Sequence, residues 1–384
     1  LSVLLKDPVQ PDILQQAVDI AIKRFPTYHS AMRKGFFWRY LEPNTRPGPF
    51  VKPDIRNFCM PMPFKSNNRY LVRFYWYDRR ISLDAHHSLG DGTVYLRLLG
   101  HEISNGGFVL DVNETPDPEE FEDAYMRYAN ARVCPPRPAE KTYRVRGTKE
   151  PFYTLNVIDG IMSVSAVQKV AKQYQASITE YLNAVLLYSL LQKQEHDFHL
   201  RLRPVRIAMP VNLRRFFPSK TLRNFITMVY PSIDPRLGDY TFEEIVTQVH
   251  HYMRYYINSK FLRGDITTNA STQRNPLIRI VPLFLKDFVV RQFYQRVQDK
   301  NSSAGLTNMG AIRVPDDMKP YLERFDIYMG IPYSQRTNCA IVSFEDTLTV
   351  NFASCIIESD VERRFFQKLV EDGIPVTIES NREL

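Results

Sequence analysis

Two adjacent histidines, His86 and His87, followed by Ser88-Leu89-Gly90-Asp91-Gly92, place the residue types of a proton-transfer site within one short stretch. An imidazole titrates near pH 6.5, so it can take and return a proton close to neutrality. Only one of the pair need be the reagent. If His87 points into a cleft, His86 must point elsewhere and has a structural part. Asp91 is then either the group that orients an imidazole or a buried carboxylate tied to an arginine, keeping the turn rigid. Gly90 and Gly92 admit a tight backbone. A lone histidine is most often an ordinary core or surface residue, so it is the whole string that marks an active site.

Such a turn has to be held by the elements around it. Arg80-Ile81-Ser82-Leu83-Asp84-Ala85 alternates apolar and polar residues, the mark of a half-buried strand, and Val94, Tyr95, Leu98 and Leu99 fall at helical spacing. The histidines therefore sit between a strand end and a helix expected over 92–105. Upstream, the pattern predicts a strand at 1–6, a helix over 11–25, a hairpin through 36–40 and a strand over 69–77 paired with 80–86. Residues 111–150 are acidic at their start and broken by Cys134-Pro135-Pro136-Arg137-Pro138, which makes them the crossover linker between lobes at 1–110 and 151–384. The second lobe opens with a strand and two helices, capped by Ser165 with Gln168 and by Ser177 with Glu180. Strands near 203–211, 225–232, 303–308, 323–331, 338–344 and 347–354, a helix over 359–370 and a strand at 375–378 follow. With no strict βαβ rhythm, the fold class is α/β with mixed sheets in two lobes.

Composition narrows the function. The 384 residues carry a net charge of +8, yet the basic residues are spread among apolar ones, so nucleic acid is not expected as a partner. The charge better suits attraction of an anionic co-substrate or an acidic carrier protein. No glycine-rich nucleotide cradle is present. Cys59, Cys134, Cys339 and Cys355 are widely separated, which suggests neither a disulfide framework nor a zinc site and fits a reducing cytoplasm. No apolar run approaches the roughly 18 residues of a membrane span. His196-Asp197-Phe198-His199 reads as a surface turn after a helix, and His250-His251 lies in a helical pattern whose side chains diverge, so no metal is expected. Leu1 in place of Met suggests that the natural N-terminus lies upstream.

The string His86-His87-Ser88-Leu89-Gly90-Asp91-Gly92 resembles the HHxxxDG motif of the CoA-dependent acyltransferase superfamily. This group includes chloramphenicol acetyltransferase, the BAHD plant enzymes, alcohol acetyltransferases and the condensation domains of peptide synthetases. Other segments fall in the order this family requires. Residues 11–26, ending in Arg24-Phe25-Pro26, resemble its first helix. Pro210-Val211-Asn212-Leu213-Arg214 and then Leu222-Arg223-Asn224-Phe225 resemble its second-half strand with an arginine and a later Gly-Asn, with Arg223 in place of glycine. Leu306-Thr307-Asn308-Met309-Gly310 resembles its Ser-Asn-x-Gly strand, with Thr307 in place of serine. The Asp-Phe-Gly-Trp-Gly of the plant branch is absent, which favours the alcohol acetyltransferase branch.

The resemblance implies two chloramphenicol-acetyltransferase-like lobes with an active-site tunnel at their interface. By match, His87 is the general base, His86 and the Gly92 turn are structural, and Asp91 orients the motif through Arg214. Thr307 and Asn308 are candidates for stabilising an oxyanion. No tightly bound cofactor is implied. The co-substrate is an acyl-CoA and the acceptor a small alcohol or amine, with an acyl carrier protein as the donor in a condensation-type alternative.

Overall fold

The computed structural model describes residues 1–54, 59, 62, 65, 67–90, 116–130, 140–151, 154–197, 201–296, 301–331 and 335–382, with the side chains of 272, 273, 291 and 293–296 excepted. The first part contributes β1 (Ser2–Leu5), α1 (Pro11–Arg24), β2 (Ser30–Lys34), β3 (Arg39–Pro43), β4 (Val51–Pro53), β5 (Val72–Tyr77), β6 (Arg80–Ala85) and the short helix α2 (Ala124–Tyr128). The rest contributes β7 (Asn156–Ser163), α3 (Val164–Gln173), α4 (Ile178–His196), β8 (Val205–Asn212), β9 (Ile226–Val229), β10 (Ser232–Ile233), α5 (Phe242–Tyr256) and α6 (Ser259–Arg274). After these come α7 (Pro276–Arg279), α8 (Leu283–Arg296), β11 (Ala304–Ala311), β12 (Leu322–Asp326), β13 (Thr337–Phe344), β14 (Thr347–Ser354), α9 (Asp360–Glu371) and β15 (Thr377–Ser380).

Two mixed sheets result. The smaller runs β12-β1-β6-β5-β4, and the larger runs β10-β8-β11-β13-β14-β7-β15 with β9 on β8. In the larger sheet β11 lies parallel to both β8 and β13, while β13, β14 and β7 are antiparallel neighbours. β12 crosses from the second half of the chain to pair with β1, so the first sheet is completed by residues more than 300 positions downstream of its first strand.

Local chemistry accounts for these elements. In β6, Ile81 and Leu83 are buried while the residues between them are partly open, as alternation demands. α4 is buried on every side by α5, α9 and β8, and it starts at a capping box of Ser177 with Glu180. The helix before it begins two residues earlier than the sequence suggested. Ser163, not Ser165, caps α3, because Ser165 instead turns its backbone N–H to Asp346 at 2.9 Å. The strand expected over 323–331 stops at Asp326, and the one over 225–232 is split in two around Tyr230-Pro231, where proline cannot donate to a ladder. Helix α9 packs against the larger sheet at Gly160, where any β-carbon would collide with the Phe366 ring. No helix among the described residues is long and apolar enough to cross a membrane.

Within 111–150, residues 116–130 and 140–148 are packed. Ala124 and Ala129 enter an apolar cluster with Phe217, Phe225 and Leu262, and Tyr143 and Val145 enter the core of the larger sheet.

Candidate functional site

The histidines lie on the turn that leaves β6. The His86 backbone N–H donates to the Leu71 carbonyl at 2.8 Å, and the Leu89 N–H closes the turn on the His86 carbonyl at 3.0 Å. Leu89 is buried in the apolar cluster beneath the smaller sheet, which anchors the turn from below. His86 Nδ1 is 2.8 Å from Ser88 Oγ and accepts the Ser88 backbone N–H at 3.3 Å. Burial, the neighbouring His87 and Arg39 hold His86 below the usual imidazole range, against an upward pull from Asp84. His86 is thus occupied inside its own turn and disposed to stay neutral.

His87 faces outward, and its Nδ1 lies 3.5 Å from Nδ2 of Asn224, a residue of the second half of the chain. The Oδ1 of that same Asn224 is buried and has no partner among the described residues. The orientation of the carboxamide decides the tautomer of the imidazole. An amide N–H directed at Nδ1 requires the ring proton on Nε2, whereas Oδ1 in that place accepts Nδ1–H and leaves the Nε2 lone pair free. A half-turn of the carboxamide exchanges the two atoms.

Asn224 is held by a chain of contacts that begins at α1. Arg24, the last residue of that helix, is buried and forms a two-pronged pair with Glu120 at 3.0 and 2.9 Å. The Glu120 carbonyl accepts the Leu222 N–H at 2.8 Å, and the Glu122 carbonyl accepts Thr221 Oγ1 at 2.6 Å. Arg214 lies across the same loop, its guanidinium donating to the Thr221 carbonyl at 3.1 and 2.8 Å and to the Arg223 carbonyl at 2.7 Å. Phe225 is fully buried, and its carbonyl accepts the Leu213 N–H at 3.1 Å. The residue beside His87 is therefore fixed on both flanks.

Asp91, Gly92 and the helix expected over 92–105 lie outside the described residues, and so does the pairing of Asp91 with Arg214. Thr307 and Asn308 lie on β11, half-buried. Asn308 is already engaged: Nδ2 donates to Thr179 Oγ1 at 2.8 Å and Oδ1 accepts the Gly310 N–H at 2.8 Å. That leaves Thr307 the freer of the two. A surface concavity of about 350 Å³ lined by Pro47, Phe50, Lys52 and Asn68 contains neither His87 nor Asn224.

Sequence reasoning named Asn224 as part of a motif without giving it a part in the site, and it missed the Arg24–Glu120 pair altogether. The signal for the pair was an arginine at the end of an amphipathic helix and a glutamate in an acidic stretch, features too ordinary to join across 96 positions.

No family model matches the chain, and no curated protein sequence does. Solved structures do. The trichothecene 15-O-acetyltransferase from Fusarium sporotrichioides is 12% identical with a TM-score of 0.61, covering 97% of this chain and 89% of that one. The epimerization domain from the third module of tyrocidine synthetase B is 11% identical with a TM-score of 0.60, covering 97% and 90%. The first condensation domain of the CDA synthetase is 13% identical with a TM-score of 0.56, covering 97% and 89%. At these identities the likeness is one of fold, and it is the two-lobe α/β fold that the motif resemblance implied.

Proposed function

We propose that this chain is an acyltransferase that moves an acyl group, acetyl in the simplest case, from a CoA thioester to an alcohol, with His87 as general base. The observation that carries the reading is the placing of the His87 ring against Asn224, a contact between the β6 turn and the second half of the chain. In this reading Asn224 Oδ1 accepts Nδ1–H and Nε2 takes the proton of the acceptor hydroxyl. The alkoxide oxygen bonds to the thioester carbonyl carbon, giving a tetrahedral oxyanion. Collapse breaks the carbon–sulfur bond, and the departing thiolate takes the proton back from His87. The contact is long for a hydrogen bond, as is usual for catalytic pairs before substrate binds. A donor to the oxyanion would contribute about 3–4 kcal/mol, and Thr307 is the better candidate because Asn308 is engaged.

The likeness to condensation domains supports a second reading, in which the acyl group arrives on a phosphopantetheinyl carrier and the acceptor is an amine. One experiment separates the two. Thiol release from acetyl-CoA, from longer acyl-CoAs and from an acyl group loaded on a phosphopantetheinyl carrier is followed across a panel of alcohols and amines, with the native protein and with His87→Ala. Acceptor-dependent release that disappears in the variant is the expected result. Transfer only from a carrier-bound acyl group would replace the first reading by the second.

A further inference from the structure

Close to half of the large apolar side chains exposed among the described residues belong to two segments that touch each other. One is the β2–β3 hairpin, with Phe36 69% and Trp38 58% exposed at its tip. The other is the helical arm α7–α8, where Leu277, Phe284, Phe288 and Val289 are exposed, Phe284 by 67% and Phe288 by 63%. The Leu283 N–H donates to the Phe36 carbonyl at 2.7 Å, Lys286 Nζ donates to the Phe37 carbonyl at 3.0 Å, and Arg39 pairs with Asp287 at 2.6 Å. Joined at these contacts, the two segments, far apart in the chain, present their exposed apolar side chains together.

The charges along these two segments are mostly basic. Residues 274–290 contain Arg274, Arg279 and Lys286 against Asp287 alone, and residues 33–42 contain Arg33, Lys34 and Arg39 against Glu42. Both acids are already paired, Asp287 with Arg39 and Glu42 with Arg33. A second copy of the chain would bring the same basic segments against themselves, which disfavours a symmetric pairing through this face. Bulky aromatic and aliphatic tips on segments rich in arginine and lysine are instead the composition of a surface that sinks into a lipid interface bearing negative headgroups.

We propose that the hairpin tip and the α7–α8 arm together form a docking surface for an anionic lipid bilayer. The inference stands independently of the acyl-transfer reading. Its test is co-sedimentation of the full chain with vesicles of phosphatidylcholine alone and of phosphatidylcholine with phosphatidylserine, at low and high salt. The native protein is expected to sediment with the phosphatidylserine vesicles about tenfold more than with phosphatidylcholine alone, and less at high salt. Phe284→Glu with Phe288→Glu is expected to reduce that binding about tenfold at an unchanged melting temperature, since both rings are in solvent. Absence of sedimentation with either vesicle overturns the proposal, as does binding that the double variant retains. A native dimer that the double variant converts to monomer, without vesicle binding, would assign the face to a second copy.

Discussion

At the scale of single residues, the division between His86 and His87 follows from where their nitrogens point. His86 is spent on Ser88, whereas His87 reaches Asn224. His87→Ala is therefore expected to abolish acyl transfer while leaving the melting temperature close to that of the native protein, because an exposed side chain is removed. Asn224 is expected to act through His87. In Asn224→Asp a carboxylate beside the ring favours imidazolium, so the acid limb of the pH profile of kcat/KM moves to higher pH by about one unit. A profile that does not move would remove Asn224 from the orienting part given to it here. A different residue sets a pH dependence of stability. Burial and the nearby Asp326 push Asp159 up to about 7, against the hydrogen bonds from Asn351 and Tyr328 and the charge of Arg324. An unfolded aspartate releases its proton near pH 4, so between about 4 and 7 the folded chain binds more protons and stability falls as pH rises. Asp159→Asn removes that loss. Its melting temperature, measured against the native protein, is expected to gain steadily from pH 4 to 7 and to gain no further above that range.

At the scale of elements, the buried Arg24–Glu120 pair fastens the end of α1 to the strap that carries Leu222 and, next to it, Asn224. Removing one partner leaves a buried charge alone, which costs about 3–5 kcal/mol. Glu120→Ala is expected to show this loss in chemical denaturation. Replacing both by apolar residues, Arg24→Met with Glu120→Leu, is expected to recover much of the stability. If the double replacement is as unstable as the single one, the pair is not the source of the effect. The strands and helices of this network were largely legible, since α1, β5, β6, β8, β13 and β14 all show clean periodicity. The α3 cap was misread because Ser163 and Ser165 are equally good capping residues by type, and only the approach of Asp346 from another hairpin decides between them.

At the scale of the whole molecule, β12 binds the two sheets into one object, as it follows β11 of the larger sheet and then completes the smaller one. The smaller sheet also shares its apolar core with Val342 and Phe344 of β13. Residues 1–150 expressed alone are therefore expected to show no cooperative thermal transition by circular dichroism. A sharp transition in that fragment would mean that the smaller sheet is stable without β12. The sequence by itself determined the fold class, most of the elements and the stretch in which the chemistry resides, because periodicity, caps and a compact motif are local properties written in neighbouring residues. Only the tertiary structure brought Asn224 to His87, Glu120 to Arg24 and the α7–α8 arm to the hairpin tip. These contacts join positions far apart in the chain, and they depend on how sheets and loops pack, which the spacing of residues along one segment does not encode.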